Sequence, residues 1–169
     1  MLRLTGLLVD HAHEMAHLVD HAAHGRRILE RRAAMQLVEQ GRLSLDAPAS
    51  KYLPELANLS VFESFDSASG AYSIRPATKT LTVRHLLTHT SGLGYAFTSP
   101  IVRDFKPREG ERYVAGPLVF EPGDQWLYGT STDWVGRLVE SVSGKTLDDY
   151  FGEHVLGLLG IADTFYNVP

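Results

Sequence analysis

The chain has 169 residues, enough for one domain with a buried core, and its 44% hydrophobic and 21% charged content is that of a globular protein. A net charge of −4 leaves no electrostatic case for nucleic acid or an anionic membrane, and the absence of cysteine excludes disulfides, thiolate metal sites and a cysteine nucleophile. No run reaches the roughly eighteen apolar residues that span a bilayer, and residues 1–9 lack the apolar length and cleavage site of a signal peptide, so a cytoplasmic protein with no membrane partner is expected.

Residues 1–32 differ in composition from the rest, with five of the eight histidines (His11, His13, His17, His21, His24) beside Arg26, Arg27, Arg31 and Arg32. Alanines and leucines predict a helix over about 9–23 and a second over about 27–40, the latter with Ile28, Ala34, Met35, Leu37 and Val38 as its apolar face and Gly41 as its stop. Pro48, Pro54 and Asp46 predict loops and short helical turns, and the Ser, Ala, Gly and Thr of 64–80 predict an exposed excursion. Thr82 then caps a short helix with Val83, Leu86 and Leu87 as its stripe, ahead of a stop at Ser91-Gly92. Of His85 and His89, a turn apart, one is expected to pack and the other to cap. Residues 94–125, broken by Pro100, Pro107, Pro117 and Pro122, read as a long irregular stretch of the kind that carries function.

The last third is more regular. Thr130 or Ser131 caps a helix through Val142, stopped by Gly144. Thr146 caps another, with Asp148 and Asp149 where the helix dipole favours acids. Only Thr164-Phe165-Tyr166 hints at a strand.

One metal-ligand pattern stands in the N-terminal segment. His13-Glu14-Met15-Ala16-His17 is a literal H-E-x-x-H, which on a helix puts two histidines on one face for zinc with glutamate as base. The spacing to His21 fits neither common extension of that motif. Adventitious zinc binding by His13, His17 and His21 is therefore expected, with a zinc-dependent hydrolase as an alternative reading and no cofactor otherwise. Gly144-Lys145-Thr146 joins two helices without the glycine a phosphate loop needs, and Ser91 is not in a nucleophile elbow.

Three further blocks stand in order: Ala33 to Pro48, with Gln40-Gly41-Arg42-Leu43-Ser44-Leu45-Asp46 at its end; Leu81 to Leu93, with Leu86-Leu87-Thr88-His89-Thr90-Ser91-Gly92-Leu93; and Phe120 to Ser131, with Pro122-Gly123, Trp126 and Tyr128. Together with Trp134 to Glu140 they resemble serine β-lactamase-related hydrolases, a group that includes class C β-lactamases, penicillin-binding DD-peptidases and family VIII carboxylesterases. The resemblance covers about 33–166. It implies a serine that attacks an ester or β-lactam carbonyl, assisted by a lysine one helical turn later and by a tyrosine, here Tyr128, because serine is a weak nucleophile without an adjacent base. Trp126 and Thr130 are implied to line the substrate. Outside such a context a buried tyrosine simply finds a backbone partner.

Two departures follow. Thr130 stands where the β-lactamase form of the tyrosine motif has asparagine, which leans toward the esterase branch. The Ser-x-x-Lys pair would fall at His24 and Arg27. No such pair exists elsewhere, since Lys51, Lys79, Lys106 and Lys145 follow Pro48, Pro76, Arg103 and Val142 by three residues. The expectation is thus a mainly α chain: the helical subdomain portion of the α/β β-lactamase/transpeptidase-like fold over 33–169, incomplete and preceded by an atypical 1–32 segment. The function implied is an esterase-like serine hydrolase of small esters or amides, impaired here. A non-catalytic helical domain that binds a ligand or partner is the alternative. Helices left without their sheet would favour self-association.

Overall fold

The structure, a computed structural model, describes residues 25 and 27–161. Helix α1 covers 27–39 and ends at Gly41, whose φ of 70° lets Arg42 and Leu43 donate back to the Leu37 carbonyl at 2.9 and 3.1 Å. Its buried face is Glu30, Ala33, Ala34 and Leu37, which lie three or four residues apart. Ile28 and Met35, expected on that face, share the opposite side and are 55% and 40% exposed. The predicted helix over 9–23, the His13, His17 and His21 set and the Thr164-Phe165-Tyr166 strand lie outside the described residues.

After two 3-10 turns at Ala49–Lys51 and Pro54–Leu56 comes an antiparallel hairpin, β1 (Ser60–Phe65) and β2 (Tyr72–Pro76), with an irregularity between Phe62 and Ser64. Most of 64–80 is exposed, as expected of an excursion, but it holds the turn and second strand of this hairpin, which were not expected. Of the small polar residues there, some shape the turn, where Asp66 accepts from Ala68 N and Gly70 takes φ 70°, while the Ser64 and Ser73 hydroxyls bond across the strands at 2.7 Å. Around that turn the strands bring Phe62 and Tyr72 edge-on to Phe105, each at 5.1 Å. Leu118 adds a parallel bridge to β1, donating to Ser60 O at 2.7 Å and accepting from Phe62 N at 2.9 Å.

Helix α2 (Val83–Leu87) begins with a reciprocal cap: the Thr82 hydroxyl accepts from His85 N, and His85 Nδ1 accepts from Thr82 N. So His85 caps, and His89 is the histidine that packs. The irregular stretch expected over 94–125 contains one short helix, α3 (Pro100–Asp104), capped by Ser99. Helix α4 (Ser131–Ser143) buries Trp134, Val135, Leu138 and Val139 and stops at Gly144, φ 74°. Thr130 occupies its N-cap position without a side-chain cap bond, and the Ser131 hydroxyl bonds Ser91 instead, so neither of the two expected residues caps this helix through its side chain. Helix α5 (Leu147–Phe151), capped by Thr146, runs on as a wide turn through Gly152–Leu156. At Gly136 of α4 an added Cβ would meet Leu147 Cδ1 at 2.9 Å and Glu30 Oε1 at 3.3 Å, so α4 passes close to both α5 and α1. No helix among the described residues is long and apolar enough to cross a membrane.

Candidate functional site

Two of the sequence blocks meet face to face. The turn after α2 gives its carbonyls to the 119–127 segment: Leu127 N donates to His89 O at 2.9 Å, Gly123 N to Thr90 O at 2.7 Å and Val119 N to Gly92 O at 2.9 Å. Two glycines make the approach close enough. Gly92 takes φ 83°, and a Cβ there would sit 2.4 Å from Phe120 O; a Cβ on Gly129 would sit 2.0 Å from Leu93 O. Behind them the Ser91 and Ser131 hydroxyls bond at 2.7 Å, and Ser91 Oγ accepts from Leu93 N. Tyr128 is therefore fixed from both sides, with its own carbonyl accepting from Thr98 Oγ1 at 2.7 Å.

Glu121 ties this segment to the hairpin. Its carboxylate accepts from Arg75 Nη1 at 2.5 Å and from Thr78 N, Thr78 Oγ1 and Lys79 N, each at 3.0 Å. Burial pushes this carboxyl up, but the donors at Thr78, Arg75 and Lys79 outweigh it and hold the pKa at about 2.

The half-buried Tyr128 ring lies 4.9 Å from the His89 ring and 5.8 Å from Tyr95. Trp126, 66% exposed, lies edge-on to His89 at 6.2 Å, and Phe97, 76% exposed, stacks on Tyr95 at 5.0 Å. Arg27 of α1 lies over both tyrosines, 5.2 Å from the Tyr128 ring centre and 5.9 Å from that of Tyr95. One helical turn on, Arg31 Nη2 meets His89 Nε2 at 2.5 Å. Burial, then Arg31 and Arg27, lower the His89 pKa to about 4, so the ring is neutral at pH 7. A guanidinium has only donors, so Nε2 is the acceptor and Nδ1 carries the proton. That Nδ1, on a residue 4% exposed with φ 56°, has no partner among the described residues. Tyr95 Oη donates to Asp133 at 2.6 Å; burial and this bond push its pKa up to about 12.

Of the residues singled out in the sequence, Tyr128 is at the centre of this cluster of rings and Trp126 at its exposed edge, while Thr130 is two positions along the chain at the start of α4. Arg27 is where the counted lysine position would be. Tyr95, Phe97, Asp133 and Arg31 were not anticipated. The only signal for the last was the i,i+4 spacing of two arginines. No group of three metal-ligating side chains occurs among the described residues.

The sequence profile of the family described as Beta-lactamase matches residues 32–169. The monacolin J acid methylbutanoyltransferase of Aspergillus terreus is 36% identical over 155 residues, covering 86% of this chain and 37% of the relative. The lovastatin esterase of Penicillium rubens is 40% identical over 147 residues, covering 80% of this chain and 37% of its own. The unliganded simvastatin synthase LovD from Aspergillus terreus superposes with a TM-score of 0.75 at 36% identity, over 85% of this chain and 37% of that one. The chain thus spans 37% of the length of each of these relatives.

Proposed function

The chain belongs to the beta-lactamase family, and from that premise we propose that the Tyr128 cleft is the tyrosine-bearing wall of an ester-handling site whose acyl-enzyme step is impaired in this chain. Residues 33–169 supply the helical subdomain portion of the β-lactamase/transpeptidase-like fold, behind a distinct 1–32 segment. Tyr128 assists proton transfer, and Trp126 and Thr130 contact a small ester or amide. The esterase and acyltransferase relatives support this branch over β-lactam turnover, as does threonine rather than asparagine at 130.

The observation that carries the impairment is the position of Arg27, 5.2 Å over the Tyr128 ring. In the acyl-enzyme mechanism a lysine at this place accepts a proton from serine. A guanidinium carries donors only and has no acceptor atom for that proton. The sequence also offers no Ser-x-x-Lys pair. A non-catalytic ligand-binding role for the same cleft is the second reading, favoured by the same arginine.

The test is hydrolysis of p-nitrophenyl butyrate, with intact-mass detection of an acyl adduct, for the chain and its Tyr128→Phe variant. Expected are a rate no faster than the buffer blank and no adduct. Turnover that disappears in Tyr128→Phe would mean another nucleophile serves the cleft and would overturn the impairment. Turnover that disappears only with a chelator would shift attention to His13 and His17.

A further inference from the structure

We propose that the cleft around Arg27 and Tyr128 binds the carboxylate of a small hydrophobic acid. This rests on the reading of that cleft as an ester-handling site and names what it retains in this chain: the free acid rather than the ester. The chemistry of the groups points one way. The two aromatic rings take the face of the Arg27 guanidinium, which leaves its in-plane N–H donors for an acceptor, and among these the Tyr95 hydroxyl takes one. Neither Arg27 nor Arg31 forms an ion pair with a carboxylate among the described residues. Next to them stand two buried donors that also lack an acceptor among the described residues: Arg31 Nε and His89 Nδ1.

The cluster thus has buried donors without acceptors among the described residues, and two guanidiniums that disfavour a further cation at His89. Asp133, in the same cluster, accepts from Tyr95 Oη at 2.6 Å. Buried donors are costly when unmade, and a planar carboxylate matches a guanidinium edge in two parallel bonds. Beside this polar centre the exposed rings of Phe97 and Trp126 offer apolar faces, so the ligand that satisfies both parts has a carboxylate and an aryl or alkyl tail.

The probe is 4-phenylbutyrate, compared with its methyl ester by isothermal titration calorimetry on the full chain. The acid is expected to bind at least tenfold more tightly than the ester, and to weaken as salt is raised while the ester does not. Arg27→Gln is expected to weaken the acid tenfold or more and to bring it level with the ester, with circular dichroism confirming the fold. Equal binding of acid and ester, or an acid Kd unmoved by Arg27→Gln, overturns the carboxylate assignment. The wild-type acid-to-ester ratio decides this even if the variant fails to fold. Binding of the ester alone sinks the acid site and leaves the cleft reading standing; binding of neither sinks both.

Discussion

Replacing Gly129 with alanine tests the interlock that holds Tyr128. The new Cβ would lie 2.0 Å from Leu93 O and 2.5 Å from Gly94 Cα, both backbone atoms that no rotamer change can move aside. A tolerable carbon–oxygen contact is about 3.3 Å, so the two segments must part by about 1.3 Å. Overpacking of this kind costs about 1–3 kcal/mol. The same displacement strains two neighbouring hydrogen bonds, Leu127 N to His89 O at 2.9 Å and Thr98 Oγ1 to Tyr128 O at 2.7 Å, each worth about 1 kcal/mol. A loss of about 3–5 kcal/mol is therefore expected, a large part of the stability of an ordinary domain. With a urea dependence of about 2 kcal/mol per molar, the unfolding midpoint should fall by about 2 M. Gly144→Ala is the control: its Cβ would enter open space and only its φ of 74° is unfavourable, a cost of about 1–2 kcal/mol. If Gly129→Ala unfolds at the wild-type midpoint, or shifts it no more than Gly144→Ala, the close approach of the two segments is wrong.

Glu121 titrates near 2 in the folded chain, below its unfolded value of about 4.3. The stability it contributes is complete above the unfolded value and fades as pH falls through about 2, so Glu121→Gln should lower stability at pH 7 and flatten the acid limb of a stability–pH curve. A variant that keeps the wild-type acid limb would exclude Glu121 as its source. His89 titrates at about 4 when folded and at about 6.5 when unfolded. Its contribution is complete above about 6.5 and is lost as pH drops toward 4, and imidazole proton NMR should show one histidine titrating far below the others; if His89→Gln leaves that resonance in place, the assignment fails. Finally, Phe97, Trp126, Leu158, Leu159 and Ile161 are exposed apolar side chains, so light scattering should show mass rising with concentration. A monomer at all concentrations, with no binding of an apolar dye, counts against self-association.

What could be read in the sequence was whatever is local. The caps at Thr82 and Thr146 and the stops at Gly41 and Gly144 depend on a residue and its neighbours three or four positions away, and each is found in the structure. The hairpin was missed because its stability comes from afar. Val61 is the one strand residue of β1 that is buried, and Phe62 and Tyr72 find their aromatic partner in Phe105, more than thirty positions on. The cleft divides in the same way. Tyr128 announces itself through the Pro-Gly and Trp residues before it, whereas the rest of its surroundings come from separate places: Arg27 from α1, Tyr95 from the 94–99 loop, Asp133 from α4. Composition gave no hint that these converge.

The Ser91–Ser131 pair carries a consequence for chemical labelling. Both side chains are wholly enclosed, at 0% exposure, and their hydroxyls are committed to one another. A fluorophosphonate, which seeks activated hydroxyls at a surface, would pass this turn by. Any serine such a reagent marked in the chain would report on a different part of the molecule, however suggestive the Thr-Ser-Gly sequence around Ser91 looks on paper.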